Sequence, residues 1–142
     1  AKLFGMTVPE KIKIRALALN CGLYKMETSV DEKGVLKATG FQQDYLGKKI
    51  SQETLKKLDV LGNITADYPP SFVMSSQYDF LKDNAKPMYD FLTSKGVECE
   101  MKIYGQEGQK YMGHVFHVNM NLEEAKICNQ DEVAFFKAHI VH

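Results

Sequence analysis

Two stretches of this 142-residue chain carry residue types that could move protons. One is Ser75-Ser76-Gln77-Tyr78-Asp79-Phe80-Leu81-Lys82-Asp83, between an apolar run and a helical pattern. The other is Gly113-His114-Val115-Phe116-His117. An Asp that accepts the Nδ1 proton of a His leaves Nε2 free to take a proton from a nucleophile. Asp79 and His114 stand 35 residues apart and can form such a pair if the fold brings their loops together. Other uses remain open on these residues alone. An Asp at a strand–helix junction commonly closes an Asx turn or caps the helix, and His114 could be an ordinary hydrogen-bonded loop histidine. A metal reading for His114 and His117 lacks a third ligand at a natural spacing. His139 and His142 fall at the end of a C-terminal helical pattern, where a partly positive imidazole suits the helix dipole. They read as structural or as solvated tail.

The elements that must position these residues follow from periodicity. Ile14-Arg15-Ala16-Leu17-Ala18-Leu19 reads as a strand, apolar throughout apart from Arg15, as expected of a strand covered on both faces. Ser71 to Ser75 is a second strand, following Pro69-Pro70, which bar a helix immediately before it. Glu98 to Tyr104 alternates polar and apolar residues and reads as a third strand with one solvated face. Between the last two, Ala85, Met88, Tyr89 and Leu92 recur at helical spacing over 84–95, with Pro87 in the first turn and Gly96 as the stop. Ser51 caps a helix carrying Leu55, Leu58 and Leu61, stopped by Gly62. The tail over 122–140 is helical, with Val133, Phe136 and Ile140 facing inward. Residues 25–47 are vague, with room for a short helix around Phe41 and Tyr45.

A strand–helix–strand step implies parallel strands joined by a right-handed crossover, hence an α/β class with three parallel strands and flanking helices. Both reactive stretches then lie past the C-terminal ends of strands, where open α/β sheets place their sites. In sequence order the first strand is an edge, yet it has the composition of an inner strand. It therefore calls for another neighbour, either an upstream segment or a second copy of the chain, unless the 6–10 segment or the 25–67 excursion covers it. A homo-oligomer formed through this strand is the corresponding expectation.

Composition excludes several classes of function. Lys plus Arg equals Asp plus Glu at 18 each, so no net field draws in nucleic acid. No apolar run approaches the length of a membrane span. The N-terminal Ala1-Lys2-Leu3-Phe4 shows no secretory pattern. The three cysteines, Cys21, Cys99 and Cys128, are odd in number and without CxxC spacing. They read as reduced thiols of a cytoplasmic protein.

The run from Pro69 to Asp83 resembles the catalytic-acid region of hormone-sensitive-lipase-like esterases, of the α/β-hydrolase fold. There an apolar strand after a Pro leads into Asp-x-Leu-x-Asp, matched by Asp79-Phe80-Leu81-Lys82-Asp83. The resemblance implies that Asp79 is the acid of a catalytic triad. The family's base follows in a His-Gly-Phe motif, and His114-Val115-Phe116 occupies that place, with Val115 departing from the Gly. His114 is thereby the implied base and His117 the runner-up. Upstream, Lys13 to Tyr24 resembles the strand after the nucleophile helix, and residues 25–67 sit where these enzymes insert a helical cap. Residues 1–142 thus resemble the C-terminal part of a single α/β-hydrolase domain, which implies no metal and no organic cofactor.

The chain contains no Gly-x-Ser-x-Gly and no His-Gly-Gly oxyanion loop. In this fold the triad runs Ser, Asp, His along the chain, so the resemblance would place the serine upstream of Ala1. The expectation is part of a serine hydrolase acting on a small carboxylic ester, with these 142 residues inactive alone. A non-catalytic interaction or oligomerisation module is a different reading of the same residues. A peptidase or thioesterase on the same scaffold is another, because fold does not fix chemistry.

Overall fold

The computed structural model describes residues 7, 9, 11–25, 28–38, 40, 42–47 and 49–140. In chain order, strand β1 (Leu17–Asn20) precedes an antiparallel hairpin of β2 (Thr28–Val30) and β3 (Leu36–Ala38). Three short helices follow: α1 (Gln42–Leu46), α2 (Gln52–Leu58) and α3 (Val60–Asn63). Then come β4 (Ser71–Ser76), α4 (Ala85–Ser94), β5 (Cys99–Tyr104) and α5 (Glu123–His139). These elements form two compact units, one of Lys11–Leu23 with Thr65–His142, the other of Ala1–Glu10 with Tyr24–Ile64.

The larger unit is a three-stranded parallel sheet in the order β1-β4-β5, with helices packed on it. β4 is central and all six of its residues are buried. Its alternation serves two faces. Phe72 and Met74 join Cys21, Met112, Phe116, Ala125, Cys128 and Phe135 in one apolar core. Ser71, Val73 and Ser75 point the other way, toward the face where α4 buries Ala85, Met88 and Leu92. β5 is the second edge, and its Lys102 and Tyr104 turn toward α5, both reaching Asp131, at 2.9 and 2.7 Å.

β1 is shorter than its apolar run. The ladder starts at Leu17, whose N–H meets the Pro70 carbonyl at 2.9 Å. Pro69 and Pro70 have no N–H to offer residues further upstream, and Ile14 is exposed. All four residues of β1 are half-buried rather than buried. Among the described residues no strand pairs with its outer side, and Met6, Val8 and Glu10 lie outside them.

α5 also presents a different face from the one expected. Its buried residues are Ala125, Cys128 and Phe135; Phe136 is half-buried, whereas Val133 and Ile140 are about half exposed. The inward stripe includes Glu132 and His139, which hydropathy reads as outward. Both are satisfied there: Glu132 accepts from Asn20 at 2.9 Å, and His139 Nδ1 lies 2.7 Å from the Phe135 carbonyl. His142 lies outside the described residues.

In the smaller unit, Asp31 accepts from the amides of Lys33 and Val35 and closes the turn between β2 and β3. The helical stretch begun at Ser51, which accepts from the Thr54 amide at 3.0 Å, breaks at Asp59. The Asp59 carboxylate accepts from the Gly62 amide and starts a new helix, because a side-chain acceptor competes with the backbone ladder. Tyr45 is on α1 and exposed, and Phe41 lies outside the described residues. Among the described residues no helix is long and apolar enough to cross a membrane.

Candidate active site

The C-terminal ends of β1 and β4 and the loop after β5 converge on one carboxylate. β4 ends at Ser76, and the chain turns through Gln77 and Tyr78 so that the Asp79 amide bonds back to the Ser76 carbonyl. This turn folds Asp79 into the protein, leaving its side chain with no exposed surface. His114 Nδ1 lies 2.8 Å from Asp79 Oδ1. The same oxygen accepts from the Leu81 amide at 2.9 Å, so Asp79 also closes an Asx turn. The other oxygen, Oδ2, accepts from the buried Ser75 hydroxyl at 2.6 Å. The Cys21 sulfur, just past the end of β1, lies within 4.8 Å of this carboxylate.

Burial pushes the Asp79 carboxyl up, but the donors Ser75, the Leu81 amide, Cys21 and His114 outweigh it and hold the group below its ordinary value. Asp79 is therefore a carboxylate at neutral pH. A carboxylate on Nδ1 fixes the imidazole tautomer with its proton on that nitrogen and leaves Nε2 as the basic one. His114 is about one-third exposed and stacks against Phe80 with ring centroids 4.6 Å apart. An imidazole held this way by a buried anion can act as a base toward a group on its other side.

The loop carrying His114 is tied to β4 close to Asp79. The Ser76 hydroxyl lies 2.6 Å from the Met112 carbonyl and 2.9 Å from that of Gly113. After His114, Val115 adopts left-handed backbone angles, φ 52° and ψ 31°, and a single 3-10 turn follows at Phe116–Val118. A β-branched residue rarely takes this conformation and Gly takes it freely. The departure from Gly therefore leaves the loop shape in place at the cost of local strain.

His117 is not part of this pair. Its Nε2 lies 3.5 Å from the Asn20 amide nitrogen, and its Nδ1 is buried without a hydrogen-bond partner. Burial pushes its imidazole below the ordinary value, Glu132 opposes that, and neighbouring His114 adds to it. Asp83, the second Asp of the sequence motif, is exposed. Ser94, two residues before Gly96, is exposed on the last turn of α4 and donates to the Phe91 carbonyl.

Cys21, Asp79 and His114 each offer a ligand atom within 4.8 Å of the others, which raises the question of a metal. Burial drives the Cys21 thiol up to about 12, with Asp79 adding to that and the Val115 backbone opposing it. A metal would have to displace that proton. Cys21 and Ser75 escaped the reading of the sequence. The signal for Ser75 was its position four residues before Asp79 across a turn; Cys21 had none, being 58 residues away.

No family model matches the sequence. Solved structures do resemble the chain. Esterase B from Lactobacillus rhamnosis, inhibited by a tributyrin phosphonate, aligns over 96% of this chain and 43% of its own, with a TM-score of 0.68 and 18% identity. Esterase rPPE, complexed with (S)-Ac-CPA, aligns over 99% of this chain and 46% of its own, with a TM-score of 0.66 and 15% identity. An esterase from Pyrobaculum calidifontis covers 66% of this chain and 31% of its own, with a TM-score of 0.51 and 19% identity. The chain thus spans less than half the length of the proteins it resembles. At such identities the likeness speaks for architecture, and the three parallel strands with their flanking helices are part of the α/β-hydrolase fold of esterases.

Proposed function

We propose that this chain supplies the acid and the base of a serine esterase, Asp79 and His114, to a nucleophile and oxyanion hole outside these 142 residues. The observation that carries this is the buried Asp79 carboxylate on His114 Nδ1 at 2.8 Å, at the C-terminal ends of parallel strands. In this reading His114 Nε2 takes the proton of the attacking serine. It returns that proton to the leaving alcohol, while Asp79 stabilises the imidazolium. The substrate is a small carboxylic ester, a class supported by the fold shared with esterases. Residues 25–67 are the cap segment of this reading. The free thiols of Cys21, Cys99 and Cys128 fit a reducing cytoplasm.

The test is ester turnover in two forms of the protein. The 142-residue chain is expected to show none with a short-chain aryl ester. A form extended upstream of Ala1 is expected to turn it over, and to lose about 10⁴-fold in kcat on Asp79→Asn and about 10⁶-fold on His114→Ala. Turnover by the short chain that disappears with His114→Ala would place the nucleophile within it. Unchanged turnover of the extended form after Asp79→Asn would remove Asp79 from the mechanism.

We also infer that the short chain self-associates through β1. The amides of Leu17 and Cys21 are used on β4, so alternation turns those of Ala18 and Asn20 to the open side. Pairing of β1 with a second copy would cover them.

A further inference from the structure

We propose that Ser75 is a positioning residue for the Asp79–His114 pair, its buried hydroxyl occupying the carboxylate oxygen that His114 does not use. This rests on the reading of Asp79 as the acid of a triad. An ionised carboxylate offers about four acceptor sites. On Oδ1, His114 and the Leu81 amide account for two. Ser75 donates to Oδ2 at 2.6 Å, the short distance of a hydrogen bond to an anion. Ser75 itself is 1% exposed and lies on the central strand, with no freedom to drift.

Two consequences follow from this geometry. First, the carboxylate cannot turn about its last torsion without giving up the Ser75 bond, so Oδ1 stays directed at the imidazole. Second, a fully buried carboxylate is costly to keep ionised unless donors replace water. A protonated Asp79 would leave the imidazolium without a counter-charge. The Cys21 thiol, within 4.8 Å of the carboxylate, is a weak donor and cannot stand in for a hydroxyl. The turn brings these groups together through a strand residue and a loop residue four apart, so Ser75 holds the acid from the rigid side of the site.

The experiment is a pH titration of the Asp79 carboxyl carbon by NMR in the intact chain, which needs no substrate. In the unmodified chain the midpoint is expected below the ordinary 3.8. Ser75→Ala is expected to move it upward by about one pH unit, the loss of one hydrogen bond to a charged group. Ser75→Thr, which keeps the hydroxyl, is expected to restore the original midpoint. Should the alanine variant not fold, Ser75→Cys keeps the volume and weakens the donor, and a smaller upward shift is expected. A folded Ser75→Ala or Ser75→Cys chain with the midpoint unmoved would overturn the proposal, as would an unmodified chain titrating at or above 3.8. The outcome is separable from the functional reading. An upward shift beside an extended form that turns over no ester would leave Ser75 in place and reject the esterase; ester turnover with no shift would do the reverse.

Discussion

The hydroxyl of Ser76 lies 2.6 Å from the carbonyl oxygen of Met112, two residues ahead of His114. Ser75 and Ser76 are neighbours on β4 and point to opposite faces, one toward the Asp79 carboxylate and one toward the loop that carries His114. Removing the Ser76 hydroxyl leaves the Gly113 carbonyl without that donor, while Met112 keeps the Tyr78 amide. Ser76→Ala is therefore expected to destabilise the chain by about 1–3 kcal/mol. Denaturant unfolding measures the loss, and faster amide exchange at Gly113 and His114 would locate it. Unchanged stability and exchange would show that the loop is held by other contacts.

Val115 holds left-handed angles beside His114, with φ at 52°. The cost for a non-glycine residue is roughly 1–2 kcal/mol, and the side chain is 38% exposed, so it recovers little by packing. Val115→Gly is expected to gain about 0.5–1 kcal/mol after the added freedom of the unfolded chain is counted. A drop in the unfolding midpoint would mean that the valine side chain contributes more than its backbone strain costs.

His117 links stability to pH. Its folded imidazole titrates below the ordinary 6.5, chiefly through burial. The unfolded chain therefore binds more protons than the folded one between the folded value and 6.5. Stability is fully present above 6.5 and falls as the pH drops from there through the folded value. His117→Gln is expected to flatten that part of the stability–pH curve without affecting the lower limb, to which Asp79 contributes together with Asp31, Glu53, Glu124 and Asp131. Asp79 contributes stability above 3.8 that is lost as the pH falls through its lower folded value.

Self-association through β1 has a local signature. The Ala18 and Asn20 amides, on the open side of the strand, are expected to become more protected from exchange as chain concentration rises, in step with a larger sedimentation coefficient. Protection that does not depend on concentration, in a chain that sediments as a monomer, would rule out a second copy on this edge.

What local pattern alone determined was the order of elements and the two loops that matter. β4 and β5 appear within one residue of their expected bounds, and α4 and α5 near theirs, because their periods are long enough to read. The hairpin of β2 and β3 was not legible, since three-residue strands carry no period. Val133 and Ile140 were misplaced on the inward face of α5 because Glu132 takes a place there through Asn20, 112 residues away, and His139 through the carbonyl of buried Phe135. Asp79 and His114 were legible as residue types at strand ends. That one carboxylate closes a turn, holds an imidazole and accepts from Ser75 depends on tertiary structure. So does the arrival of Cys21 from β1. These donors come from three separate segments, and burial gives each hydrogen bond its weight. Neither the convergence nor the loss of water is a property of any stretch of sequence, and both follow from packing β1, β4 and the loop after β5 around one buried charge.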